Sequence, residues 1–319
     1  MHKIGLLLVF TLLLVPLVTT AQLFGGIGVA NPSSVTLEVS NVAPRPGEVV
    51  TLSLTSSQLA NPSSLVWSVN GQVQNTWSGR STVQLPVESL DRILVEVNHS
   101  GTLVARTIIN PIHLDIIVEP QTYVPPTYRG RGLASAGSQV RLVAIVEERM
   151  RRNPDSYFYR WQVNGQVIGG GPQQGLSEII TSMPNGRLVD VRLEVSRPGI
   201  GVIGSETVQI PLVSPQVHFY PIHPLYGFQK RSLRGGYTFG INSDINILAV
   251  PYYLAITSVG RAEVDWSLAG QRLTEINETG SLSINLRRQT DVEQSFLQFR
   301  LTDRFNITQQ ARGELLITH

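Results

Sequence analysis

Leu65-Val66-Trp67-Ser68-Val69-Asn70-Gly71-Gln72-Val73 returns almost letter for letter as Tyr159-Arg160-Trp161-Gln162-Val163-Asn164-Gly165-Gln166-Val167. A weaker third copy stands at Val264-Asp265-Trp266-Ser267-Leu268-Ala269-Gly270-Gln271-Arg272. Each copy reads as a strand carrying a tryptophan on one face and then a tight reversal. Asn-Gly accepts the positive φ that both central residues of a type I′ turn demand, so the chain doubles back into a paired strand. Trp67, Trp161 and Trp266 are therefore expected to be core residues. Because the unit recurs, no single residue can be interpreted outside it.

The flanks repeat as well. An alternating strand lies upstream in each copy: Val50, Leu52 and Leu54; Val140, Leu142 and Ala144; Ile245, Ile247 and Ala249. Another lies downstream: Ile93, Val95 and Val97; Val191, Leu193 and Val195; Leu297, Phe299 and Leu301. A turn and a last strand follow each time, over Thr102 to Ile109, Gly204 to Ile210 and Gly313 to Ile317. Period-2 strands at short intervals, with no long segment of helical period, predict an all-β protein of antiparallel sandwiches, three in tandem.

Pro46-Gly47-Glu48-Val49-Val50 opening a strand, the central tryptophan and the closing pair of strands resemble immunoglobulin-like or PKD-like modules of bacterial surface proteins. More narrowly, residues 122–131 (Thr-Tyr-Val-Pro-Pro-Thr-Tyr-Arg-Gly-Arg) and 219–227 (Phe-Tyr-Pro-Ile-His-Pro-Leu-Tyr-Gly) resemble segments of uncharacterised secreted proteins of candidate-phyla bacteria. The resemblance spans most of the chain after its leader. It implies architecture and export, and no activity that can be carried over residue by residue. Antibody-type domains pack the tryptophan on a disulfide; with no cysteine here, only the architecture transfers.

Composition agrees with a loop-rich globular chain. Of 319 residues, 28 are Gly and 19 are Pro, 15% are charged and 42% are hydrophobic. A formal charge of +2 gives no electrostatic reason to expect nucleic acid or an anionic membrane as partner. The absence of cysteine removes disulfides, thiolate metal sites and a Cys nucleophile, so stability has to come from packed cores.

Residues 1–21 have the three parts of a secretory signal: Lys3, an apolar run from Ile4 to Val18, and Thr19-Thr20-Ala21 before the cut. Cleavage is expected between Ala21 and Gln22. An uncleaved anchor is the alternative, but the run holds Pro16 and falls short of the ~20 residues a spanning helix needs. The expected organisation is a leader at 1–21, a flexible segment at 22–32, and immunoglobulin-like domains at 33–111, 112–213 and 214–319. Asn110-Pro111 and Ser214-Pro215 stand at the junctions, and such short linkers suggest a short rod.

The second and third modules carry insertions between their first two strands, at 119–138 and 221–243, rich in Pro, Gly, Tyr and Arg. Aromatic residues are uneven. Residues 22–118 hold only Phe24, Trp67 and Trp77, whereas 219–253 hold Phe219, Tyr220, Tyr226, Phe228, Tyr237, Phe239, Tyr252 and Tyr253. Tyr220, Tyr226, Phe228 and Tyr237, with Tyr123 and Tyr128 of the other insertion, are the candidate binding patch, since rings on loops give large, rigid contact area. The competing reading has the same rings folding over the sandwich or packing against the second module, because a loop of this length needs a small core of its own.

Other constellations are weak. His218 and His223 lack the third or fourth ligand that zinc needs. Asp115, Glu119 and Asp244 are isolated where calcium would want six to eight oxygens. Gly169-Gly170-Gly171 precedes Pro172 with no Lys-Ser/Thr, which makes it a loop and not a phosphate cradle. The run from Glu147 to Arg152 reads as a solvated loop. No nucleophile elbow, zincin motif or paired carboxylate is visible, so no catalytic residue, metal or cofactor is expected. The expectation is a non-enzymatic, exported structural or adhesive rod whose partners are envelope or appendage proteins, with a carbohydrate- or peptide-binding role for residues 219–239 as the alternative. Nucleic acid and stable membrane insertion after leader removal are not expected.

Overall fold

The computed structural model describes residues 35–56, 62–150, 152–240 and 243–319. The leader, its cut site and the segment 22–32 lie outside the described residues.

The first module contains β1 (Val35–Val39), β2 (Val49–Ser56), β3 (Leu65–Val69), β4 (Gln72–Val73), β5 (Thr82–Pro86), β6 (Ile93–His99) and β7 (Thr102–Ile109). They form two antiparallel sheets, β1-β2-β5 and β4-β3-β6-β7. The second repeats the plan with β8 (Ile112–Pro120), β9 (Gln139–Glu148), β10 (Phe158–Val163), β11 (Gln166–Val167), β12 (Gln173–Gln174), β13 (Glu178–Ser182), β14 (Leu188–Arg197) and β15 (Gly201–Pro211). Its sheets run β8-β9-β13 and β11-β10-β14-β15, with β12 also on β10. This division of seven strands, with the tryptophan strand beside the last two, is the immunoglobulin-like arrangement.

The third module adds β16 (Gln216–His223), β17 (Gly227–Phe228), β18 (Tyr237–Thr238), β19 (Asp244–Tyr252), β20 (Glu263–Leu268), β21 (Gln271–Arg272), β22 (Ser283–Arg287), β23 (Gln294–Asp303) and β24 (Asn306–Thr318). Its two faces are joined along one side, because β16 meets β24 in parallel at Gln216 and Arg312, giving the order β21-β20-β23-β24-β16-β19-β22. Two short helices, α1 (Ile256–Val259) and α2 (Thr274–Thr279), are each too brief to leave a helical period in the sequence. The last strands of the second and third modules are longer than the sequence alternation marks, since Gly201 to Ile203 and Asn306 to Arg312 interleave polar and small residues.

Each module has its own core, and the repeated tryptophans lie at the centres, all fully buried. Their indole Nε1–H groups find the same kind of partner: Trp67 donates to the Arg80 carbonyl at 2.8 Å, Trp161 to Leu176 at 2.9 Å and Trp266 to Ser281 at 2.8 Å. A buried N–H left without an acceptor would be costly, so this bond fixes where the chain must return beside the ring. The turns also match. Asn70-Gly71, Asn164-Gly165 and Ala269-Gly270 all adopt positive φ at both positions. Asn70 and Asn164 clamp the neighbouring strand by accepting from the backbone N–H of Leu94 and Asp190 through Oδ1, at 2.8 and 2.9 Å. Ala269 keeps only the backbone bond, to the Phe296 carbonyl.

Candidate functional site

The insertion of the second module meets the third module. Residues 121–123 of the second module run antiparallel to 253–256 of the third: Tyr123 N–H donates to the Leu254 carbonyl at 2.7 Å, Tyr253 N–H to Tyr123 at 2.8 Å, and Ile256 N–H to Gln121 at 3.2 Å. This bridge lies where β19 ends, so one module borrows backbone pairing from the next. Tyr253 adopts φ of 61°, an uncommon conformation for a bulky residue, held here by ties on both of its backbone groups and on its ring.

A buried polar cluster completes the joint. Gln309, fully buried on β24, accepts from Ala255 N–H at 2.5 Å and donates to Ser135 Oγ at 3.1 Å and the Ala136 carbonyl at 2.6 Å. Ser135 Oγ donates to the Tyr253 carbonyl at 2.8 Å. Asn306 and Thr308 donate to the carbonyls of Gly137 and Ala136. Gly137 has φ of 77°, and a Cβ there would collide with Thr308 Oγ1. Only glycine allows both that backbone shape and that approach.

The aromatic residues sort into two groups. Tyr220, Val250 and Tyr252 form a small core on the outer face of β16 and β19, joined by Tyr123, Val124, Phe228, Leu248 and Tyr253. Tyr128 meets Tyr252 edge-on at 5.5 Å between ring centroids, and its hydroxyl bonds that of Tyr253 at 3.0 Å. The Tyr220 and Tyr252 hydroxyls share a bond of 2.6 Å. The bond to Tyr128 and burial push the Tyr253 phenol up to about 12, and burial with the Tyr220 bond raises Tyr252 further, so these rings stay neutral. Tyr237 packs against Phe239 at 5.2 Å. Tyr226 differs: it is 77% exposed at the tip of the β16–β17 hairpin, its ring tilted against His223 at 4.6 Å between centroids, with Leu225 beside it 84% exposed. Of the six patch residues, only Tyr128 and Tyr226 face solvent substantially.

His218 and His223 do not converge. His218 packs edge-on against Tyr252 at 4.9 Å, and burial with the Arg234 charge holds it below the usual histidine value. His223 Nδ1 accepts from the backbone N–H of Leu225 and Tyr226. Among the described residues no group of three or more His, Cys, Asp or Glu is placed to hold a metal ion. Glu119, isolated in the sequence, is paired: Arg141 lies between it and Glu178, at 2.8 and 2.6 Å.

One polar constellation was not foreseen. Asp303, fully buried at the end of β23, receives Ser258 Oγ at 2.6 Å and Arg261 Nε and Nη2 at 2.8 and 2.6 Å on one oxygen, and Phe305 N–H at 2.9 Å on the other. Burial alone would raise this carboxyl; the Arg261, Ser258 and Phe305 bonds outweigh it and hold it below its ordinary value. A carboxylate so enclosed is a fastening, with no free lone pair aimed at a substrate. The signal for it and for Gln309 lies in register: both occupy inward positions of alternating strands, in line with Leu301 and Ala311.

The joint between the first and second modules is slighter. Ile112 N–H donates to the Pro44 carbonyl at 2.9 Å, Ala43 touches the second core, and Arg45 pairs with Glu206 and donates to the Ser205 carbonyl.

No protein-family model and no curated protein matches the chain. Solved structures of tandem domains align with it. The three N-terminal domains of the bacteriophage RB49 Highly Immunogenic Outer Capsid protein are 14% identical over 90% of this chain and 98% of that one, with a TM-score of 0.25. The Bacteroides ovatus mixed-linkage glucan utilization locus SGBP-B, in complex with a mixed-linkage heptasaccharide, is 14% identical over 92% of this chain and 69% of that one, with a TM-score of 0.23. Immunoglobulin domains 1–4 of Sidekick-1 are 12% identical over 91% and 75%, with a TM-score of 0.21. Likenesses this distant carry no argument about activity; the immunoglobulin-like assignment rests on the strand order itself.

Proposed function

We propose that this chain is an exported, non-enzymatic structural or adhesive element of a cell envelope or extracellular appendage, acting through protein contacts. In this reading the leader is removed after Ala21, the domains run 33–111, 112–213 and 214–319, and the chain belongs with the uncharacterised secreted proteins that residues 122–131 and 219–227 resemble. The observation that carries it is the joint between the second and third modules. Backbone pairing, a fully hydrogen-bonded buried cluster and an aromatic core are spent on fixing one module against the next, as a load-transmitting or presenting element requires and a freely jointed binder does not. Two charged groups with shifted titration fit the same reading, since Asp303 and Arg141 are tied up in fastening strands together. No helix among the described residues is long and apolar enough to cross a membrane.

The test is cross-linking of intact source cells, capture of this protein and mass spectrometry of what accompanies it. Envelope or appendage subunits linked to module surfaces are expected. Recovery of the protein alone from the medium would refute the reading.

A further inference from the structure

The two insertions share a feature that the packing of their rings leaves unused. Between Pro120 and Ser138, and again between Pro221 and Ser243, the sequence contains Arg129, Arg131, Lys230, Arg231 and Arg234 and not one Asp or Glu. These are five of the chain's 25 bases in segments that hold none of its 23 acids, so the remainder of the molecule has fewer bases than acids. All five side chains are exposed, and none is in an ion pair among the described residues, whereas Arg141, Arg197, Arg261 and Arg272 are each engaged.

The contacts bring both loops to one side of the third module. Arg129 follows Tyr128, whose ring rests on Tyr252; Tyr252 packs on His218; and His218 feels the charge of Arg234. Lys230 and Arg231 lie between two backbone ties to β16, Gln229 N–H to Pro221 at 3.1 Å and Leu233 N–H to Phe219 at 2.8 Å. Lys230, Arg231 and Arg234 thus sit on backbone tied to β16, and Arg129 and Arg131 follow the ring that rests on Tyr252, a basic band running from the joint past β16 with exposed Tyr128 near one end and Tyr226 near the other. Asp244, on the same sheet face, lies past the Asn246–Ile222 pair, at the Tyr226 end.

We propose that this band binds an acidic polysaccharide, one bearing carboxylate or sulfate groups at regular intervals. Spaced cations match spaced anions along an extended chain, and exposed rings offer apolar faces to sugar C–H groups. A duplex nucleic acid is a poorer match, because its outward-facing phosphates give the two exposed rings no sugar-ring face to pack on. The inference goes beyond the protein-contact reading and stands or falls separately, since cross-linked envelope subunits would neither require nor exclude it.

The experiment is titration of the full chain with polygalacturonate and with heparin, against neutral dextran and duplex DNA, at low and high salt. Binding of either acidic glycan that weakens with salt is expected, with none to dextran. The variant R129Q/R131Q/K230Q/R231Q/R234Q should weaken it by about tenfold or more. A control that removes as many exposed charges elsewhere, R80Q/R92Q/R187Q/R192Q/R300Q, should stay within about twofold of the native chain. Should the first variant misfold, R129Q/R131Q and K230Q/R231Q/R234Q tested apart should each show part of the loss. Absence of binding to both acidic glycans, equal losses in the two fivefold variants, or DNA held as tightly as the glycans would overturn the proposal.

Discussion

Trp161 shows how much one side chain decides. Its ring fills the middle of the second core while its N–H fixes the return of the chain at Leu176, so truncation removes packing and leaves a buried carbonyl without its donor. Trp161→Ala should destabilise the protein by about 3–5 kcal/mol, read as a lowered midpoint in denaturant; an unchanged transition would show that the ring is not core. Ala269 offers the converse test. It holds φ of 50° without the side-chain clamp that Asn70 and Asn164 provide. Ala269→Asn should raise stability by about 1 kcal/mol, through relief in the left-handed region and a new bond to Phe296 N–H. A lower melting temperature would contradict the equivalence of the three turns. The tryptophans and the Asn-Gly turns were legible because they recur with fixed neighbours. Gln309 and Asp303 were not, because one polar residue at an inward position looks the same in sequence whether it meets a partner or marks the end of a strand.

At the scale of elements, the insertions were legible as loops of unusual composition, but what their rings touch was not. Tyr128 and Tyr252 are 124 positions apart in sequence, and no local pattern announces that they meet. The structure sets most of these rings in packed positions, so a surface reading of the patch retains Tyr128 and Tyr226. Gly137 is where one added methyl group tests the joint. Gly137→Ala introduces a methyl against Thr308 at a backbone angle that costs about 1 kcal/mol by itself. Amide hydrogen exchange should then speed up at Tyr123, Tyr253 and Ile256, whose N–H groups form the bridge, while the core strand around Leu193 stays protected. Unaltered exchange at the three bridge amides would mean that the joint does not depend on this approach. The Asp303 fastening gives a pH signature. Its folded-state value lies below the ordinary 3.8, so its contribution is complete above about pH 4 and lost as pH falls through the lower folded value. Acid should therefore destabilise the native protein more than Asp303→Asn, in which this component is absent, and parallel pH profiles of the two would argue against it.

Across the whole molecule, the three modules differ in how firmly they are joined. The second and third share backbone pairing, buried hydrogen bonds and a common aromatic core, while the first touches the second through one backbone bond, Ala43 and a few polar contacts. The repeated strand pattern conveyed the number of modules, since each core is built from its own alternating segments. The unequal joints were hidden, because they depend on loops with no counterpart in the first module. An extended presenter with one firm joint is the centre of this account, and small-angle scattering of residues 22–319 addresses it most directly. The account predicts an elongated particle with a radius of gyration well above the value of about 19 Å for a single compact globule of this length. A radius near that figure would show the modules folded back on one another and would contradict it.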